Sequence, residues 1–282
     1  MSKQVLVTGA SSLLMQQVCK NLIQHGFECT GISRAEKNID TTIYKNWLTH
    51  DLNQDISKLD LIDFSYIIHA AACTHSFTKK DYFESNVHIT KKLVLQAKKS
   101  GVQQFIFISS RAAVQDGGWY AESKLAAEKI VLEHYPNAII IRPSEIYGGT
   151  KQEGIDALIE KIKSNKFIFY PANIQEKMYP IFIEDATQLI AEKIMDNHSG
   201  VYTINGPEGF SFLEFITTVS RILNKRITTI PIPLFVLQFV CFIQQYLKLK
   251  IGIYPDQLKR LMAVKENVNP SGSTRKITEF IK

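Results

Sequence analysis

Disulfide and metal chemistry find little material in this chain. Its four cysteines, Cys19, Cys29, Cys73 and Cys241, form no CxxC pair, so they read as reduced core thiols rather than as a disulfide framework or a thiolate zinc site. None of the seven histidines stands in an HxH or HxxxH pair. His69, His75 and His88 are the nearest candidate ligands, and the expectation is ordinary surface or core imidazoles and no metal. No apolar run approaches the ~20 residues of a membrane-spanning helix. The N-terminus enters an apolar strand without the basic segment and apolar core of a secretory leader, and a cytoplasmic location is the expectation. Repeats and low-complexity tracts are missing, and so is a basic arm: the formal charge of +6 is spread along 282 residues. That charge suits anionic ligands such as nucleotides, but no nucleic-acid-reading module is present and no nucleic acid is expected as a partner.

What remains is an ordinary globular composition, 45% hydrophobic and 21% charged, enough for one large α/β domain with a smaller appendage. Apolar runs at 3–7, 27–32, 46–49, 66–69, 105–108 and 138–141 alternate with helical periodicity at 13–25, 79–100 and 119–134. Gly26 and Gly101 stand where the first two helices would be closed. Strands buried on both faces and alternating with helices predict a doubly wound parallel sheet. After Arg142-Pro143 the rhythm loosens. A loop with Gly148, Gly149 and Gly154 leads to a lysine-rich helix over 156–164, and strand-like pieces at 180–183 and 201–204 flank a helix in positions to rejoin the sheet. Residues 206–282 read as a smaller helical region.

The fifth strand ends in Ser109-Ser110, followed by Trp119-Tyr120-Ala121-Glu122-Ser123-Lys124. Tyr and Lys four residues apart share one helix face. A free phenol has a pKa near ~10, and it exchanges protons near neutral pH only where positive charge stabilises the phenolate. Lys124 supplies such a charge, and Ser110 supplies a hydroxyl for the same substrate oxygen. Alone, such a pair is a common surface contact. Its place at the carboxyl edge of a parallel sheet, where ligands bind, raises the functional reading.

Taken in order, Val7-Thr8-Gly9, Asp51-Leu52, His69-Ala70-Ala71-Ala72, Asn86, Ser109-Ser110, Tyr120 with Lys124, Arg142-Pro143-Ser144-Glu145-Ile146-Tyr147-Gly148, Ile183-Glu184-Asp185 and Tyr202-Thr203-Ile204-Asn205-Gly206 resemble the extended short-chain dehydrogenase/reductases, in particular the NAD-dependent epimerase/dehydratase family, over most of the chain. The resemblance implies a Rossmann-like α/β fold: a dinucleotide-binding domain over 1–143, to which 179–204 returns, and a mainly substrate-binding region over 144–282. It implies Ser110, Tyr120 and Lys124 as the catalytic residues. It places an NAD or NADP cofactor against Thr8, Gly9, Ser11, Ser12 and Leu13 at the first turn, Ser33 and Arg34 after the second strand, Asp51 and Leu52 at the adenine, and Ala70, Ala71 and Ala72 along its backbone. Asn86, Ser109, Tyr120, Lys124, Pro143 and Ser144 complete that set. Thr74, Ser110, Tyr147 and Lys151 are the implied substrate contacts. The implied reaction is hydride transfer on a nucleotide-activated sugar, as a 4-epimerase or 4-ketoreductase, in a protein able to form a homodimer through the helices bearing Asn86 and Tyr120.

Several positions depart from the family pattern. The first turn reads Thr8-Gly9-Ala10-Ser11-Ser12-Leu13-Leu14-Met15 against Thr-Gly-x-x-Gly-x-x-Gly. Ser12 keeps a hydroxyl for phosphate. Met15 replaces the glycine that lets helix approach strand, so its thioether is expected either to push the helix outward or to fill a wider core gap. Arg34 stands where an acid would read a ribose 2′-hydroxyl, which favours NADP. Ile89 stands where a glycine is common and Gln115 where a tyrosine is frequent, and only ten positions separate Ser110 from Tyr120, where the family inserts a longer substrate loop. Two alternatives therefore stand beside the sugar reading: a reductase of an apolar, lipid- or steroid-like ketone, and a non-catalytic dinucleotide-binding module. The most apolar stretch, 231–243, bears on the first. Short apolar runs are usually core, so a buried helix is expected there, ahead of a pocket wall, with membrane contact the least expected.

Overall fold

The computed structural model describes residues 3–35, 40, 42–149, 153–247, 255–266 and 275–281. In chain order the elements are β1 (Lys3–Thr8), α1 (Leu13–Ile23), β2 (Phe27–Ser33), β3 (Asn46–Thr49), β4 (Tyr66–His69), α2 (Lys79–Phe83), α3 (Ile89–Lys99), β5 (Gln104–Ile108), α4 (Trp119–His134), β6 (Ile139–Pro143), β7 (Ile146–Tyr147), α5 (Gly154–Ser164), β8 (Phe167–Pro171), β9 (Ile181–Phe182), α6 (Ile183–Asp196), β10 (Gly200–Ile204), α7 (Phe212–Ile222), β11 (Thr228–Ile232), α8 (Leu234–Leu247) and α9 (Pro255–Met262). Between α2 and α3 the helix passes through one π-helical turn, Glu84–His88.

Seven strands form one parallel sheet in the order β10-β6-β5-β4-β1-β2-β3. Strand β1 shows why it is central. Val5 and Val7 point to one face, Leu6 to the other, and all three are fully buried, as period-two alternation in a covered sheet requires. On the Val5 side, Met15, Val18 and Leu22 of α1 pack with Ile190 and Ile194 of α6. On the Leu6 side lie Leu93 and Val94 of α3 and Val131 of α4. The sheet is a Rossmann-like, doubly wound α/β fold. Its order runs outward from β1 to β2 and β3 on one side and to β4, β5 and β6 on the other, so the carboxyl ends of β1 and β4 meet at the point of reversal where such sheets bind ligands.

Three sequence expectations change. The strand-like piece at 180–183 shortens to β9 and pairs with β7, whereas β10 joins β6 in the main sheet. The region after 206 is not wholly helical: β11 pairs with β8 beside a further apolar cluster that includes Ile159, Ile162, Phe215 and Val219. The apolar stretch 231–243 is not buried all round. Leu237 and Cys241 of α8 pack on Leu258 of α9, but Phe235, Phe239 and Phe242 face solvent, because α9 offers the helix only one partner face.

Candidate active site

The turn from β1 into α1 is shaped by a close approach of two backbones. Gly9 has a φ of +67°, and a Cβ there would lie 2.9 Å from Ala70 C and Ala71 N, so glycine alone lets the ends of β1 and β4 touch. Ser12 caps α1: its Oγ accepts from Met15 N at 3.3 Å, which leaves the hydroxyl proton to be donated elsewhere. Met15 is fully buried with Val5, Val7 and Val18, so its bulk fills the core at the foot of the helix. The Tyr44 hydroxyl braces the turn by donating to Ala10 O at 2.8 Å. Ser11 and Ser12 are exposed and Leu13 is half-buried at the start of α1, where unpaired N–H groups attract anions. Ser109 Oγ at the end of β5 is buried without a partner among the described residues. These features fit the phosphate end and the inner end of a dinucleotide.

A buried polar chain ties the strand ends together. Thr8 Oγ1 accepts from Ala70 N and Ala71 N, both at 3.1 Å, and lies 2.7 Å from His69 Nδ1. His69 Nε2 lies 2.9 Å from Thr90 Oγ1, whose hydroxyl reaches Asn86 O at 2.6 Å. One assignment gives every group a partner: Thr8 O–H donates to Nδ1, Nε2–H donates to Thr90, and Thr90 donates to Asn86. Burial keeps this imidazole neutral, its pKa pushed down to about 3, with the nearby Lys124 charge adding to the effect. Asn86 sits in the π-helical turn. Its Oδ1 accepts from Cys73 N at 2.7 Å, and its amide donates to Cys73 O at 3.0 Å and Ser123 Oγ at 2.9 Å. Ser123 in turn donates to Tyr120 O at 2.8 Å. The loop after β4 is thus clamped to the helix that carries Tyr120 and Lys124.

Tyr120 and Ser110 are brought together, close enough for the Ser110 hydroxyl to bear on the phenol's ionisation. Burial pushes the phenol pKa up. The Arg260 guanidinium is the largest opposing influence, followed by the Ser110 hydroxyl. Lys124 lies apart from that balance. Its fully buried ammonium donates to Ile108 O at 2.7 Å and sits 4.1 Å from the Phe107 ring centroid. Desolvation pushes its pKa down to about 7, partly offset by Glu128 one turn further on. Glu128 is held by the fork of Arg142, with bonds of 2.9 and 2.6 Å, which anchors α4 to β6.

The cation on the tyrosine comes from α9. The guanidinium carbon of Arg260 is 4.5 Å from the Tyr120 ring centroid, its Nη2 donates to Thr74 O at 3.2 Å, and its Nε is 3.0 Å from Asp256 Oδ2. Asp256 Oδ1 accepts from Tyr120 N at 3.2 Å across 136 residues of chain. Beyond α9 the same segment continues across the sheet edge, with Lys265 N on Glu176 Oε2 at 3.3 Å and Glu266 on Arg142 at 3.0 Å. Sequence spacing carried no signal for Arg260 or Asp256.

The other expected residues divide. Arg34 is exposed at the end of β2, close enough to Asp51 to lower that carboxyl, whose main stabilisation is the Asn53 N–H. Ser33 Oγ donates to Ala35 O at 2.6 Å and Leu52 is buried. Pro143 O accepts from Arg111 N at 2.9 Å, and the Ser144 hydroxyl donates to Tyr179 O at 2.6 Å, so both order the edge strand loops. Ala72 and Thr74 are exposed in the loop after β4, with Thr74 under Arg260. Tyr147 packs in the further apolar cluster against Phe182 and Phe280, with ring centroids 5.5 and 6.1 Å away. Lys151 lies outside the described residues.

A model of the NAD-dependent epimerase/dehydratase family matches residues 5–204. The NADH-ubiquinone oxidoreductase 40 kDa subunit of Neurospora crassa is 25% identical over 162 residues, covering 56% of this chain and 42% of that protein, so the chain spans less than half the length of that relative. The UDP-glucose 4-epimerase of Vibrio cholerae is 24% identical over 264 residues, covering 83% and 80%. Among solved structures, UDP-glucuronic acid 4-epimerase from Bacillus cereus, in complex with UDP-glucuronic acid and NAD, superposes with a TM-score of 0.68 at 21% identity, covering 82% of this chain and 86% of that one. That likeness is one of fold.

Proposed function

The chain belongs to the NAD-dependent epimerase/dehydratase family, and on that footing we propose that it transfers hydride at a sugar carbon bearing a hydroxyl or ketone, on a nucleotide-activated sugar, as a 4-epimerase or 4-ketoreductase. The observation that supports the reading is the nearness of Ser110, just past β5, to Tyr120 on a helix clamped by Asn86 at the carboxyl edge of the sheet. A nicotinamide ring bound there supplies the hydride acceptor or donor. Tyr120 exchanges the proton with the substrate oxygen, and Ser110 orients that oxygen. Lys124, whose ammonium donates to the Ile108 carbonyl, binds the nicotinamide ribose in this reading, while Arg260 supplies the positive charge that favours the phenolate.

The cofactor is NAD or NADP. Ser33-Arg34 at the end of β2 favours NADP, since a guanidinium there pairs with a 2′-phosphate. Fluorescence titration with NADH and NADPH, followed by a panel of nucleotide-sugars, tests the assignment. Binding of neither dinucleotide overturns it. Tyr120→Phe is expected to lower turnover by about 10²-fold or more while dinucleotide binding persists; full retained activity removes Tyr120 from the chemistry.

A further inference from the structure

Helix α8 presents apolar side chains in two directions. Leu237 and Cys241, at i and i+4, are buried against Leu258 of α9. Phe235, Phe239 and Phe242, at i, i+4 and i+7, form a second stripe and are 70%, 62% and 66% exposed. Such a stripe needs an occupant. Two thirds of three phenylalanine surfaces is about 400 Å², roughly half of what each partner in a stable protein pair buries, which argues against a second copy of this chain. The helix has 14 residues, and no helix among the described residues is long and apolar enough to cross a membrane. The charge pattern selects between the remaining surfaces. Residues 231–254 contain no Asp or Glu, and their only charges are Lys248 and Lys250. An apolar aromatic stripe in an acid-free segment that carries two lysines just after the stripe matches the acyl boundary and the phosphates of an anionic bilayer.

We propose that α8 docks the protein on an anionic lipid surface, with Phe235, Phe239 and Phe242 entering the headgroup–acyl boundary. Because α8 packs on α9 and α9 touches Tyr120, docking holds the candidate active site close above the bilayer. The inference rests on the stripe and stands whether or not the sugar chemistry does.

Co-sedimentation of the full chain with phosphatidylcholine vesicles, with and without phosphatidylglycerol, tests it. The protein is expected to pellet with the anionic vesicles, less with the neutral ones, and to be released by added salt. The variant F235S/F239S/F242S is expected to lose at least about tenfold in partitioning, with unchanged melting temperature and dinucleotide binding. Phe239→Glu, a milder change, is expected to weaken partitioning in the same direction. Wild-type protein left in the supernatant with both vesicles overturns the proposal, and so does a well-folded triple variant that pellets like wild type. A wild-type dimer that the triple variant breaks, without vesicle binding, makes a second copy the occupant instead.

Discussion

His69 is uncharged in the fold, keeping one ring N–H, and this makes it an acid-sensitive point. Its pKa is about 3 when folded and near ~6.5 when unfolded. Below that upper value the unfolded chain binds more protons, so stability falls as pH drops from ~6.5 toward 3. Thermal melts of wild type and His69→Gln across that window are expected to show the steeper loss in wild type. Lys124 has the same sign at higher pH. Its pKa is about 7 in the fold against 10.5 for a free lysine amine, so folding stability rises as pH climbs between those values. Denaturant midpoints of wild type are therefore expected to gain on Lys124→Met from pH 7 upward, a comparison that cancels other titrations. At the rim, Arg34→Ala is expected to weaken NADPH about tenfold and NADH little, and equal losses for both remove the 2′-phosphate reading. At this scale Ser110, Tyr120 and Lys124 were legible because strand ends and helix spacing fix them locally, whereas Asn86 was reached only through the family resemblance. Arg260 and Asp256 were not: they reach Tyr120 only through tertiary packing across 136 residues.

Among the elements, α1 shows how a departure from a family pattern is absorbed. Met15 is fully buried where a glycine is usual, so Met15→Gly opens a cavity and adds a flexible residue to the helix. Urea denaturation is expected to show a loss of about 3 to 5 kcal/mol, and an unchanged midpoint contradicts the packing described here. The π-helical turn at Glu84–His88 matters for the opposite reason: it is where a helix departs from regularity to aim Asn86 at both Cys73 and Ser123. The inner main-sheet strands β1, β2, β4, β5 and β6 could be read from sequence because burial on two faces makes them largely continuous apolar runs. β8 and β11 escaped that reading because they pair only with each other, expose Phe167 and Phe169, and include Pro231. α8 was legible as a helix-length apolar run, but its exposure was not, since that depends on how few neighbours the fold gives it.

For the whole molecule, the sheet and the C-terminal helices contribute different things to one phenol. The parallel sheet sets its position, while α9 adds the Arg260 guanidinium over its ring. Arg260→Ala is expected to raise the Tyr120 pKa and move the rising limb of the pH profile for alcohol oxidation to higher pH, with dinucleotide affinity unchanged. A profile that does not move assigns Arg260 to packing alone. The chain α8 to α9 to Tyr120 also has a thermodynamic consequence. If ligand at the sheet edge shifts α9, the bilayer affinity of α8 must change by a factor equal to that by which the bilayer changes ligand affinity, because coupling free energy is reciprocal. Vesicle partitioning measured with and without saturating NADPH reads that factor from one side, and dinucleotide titration with and without vesicles reads it from the other; a surface and a small molecule would then be each other's effectors.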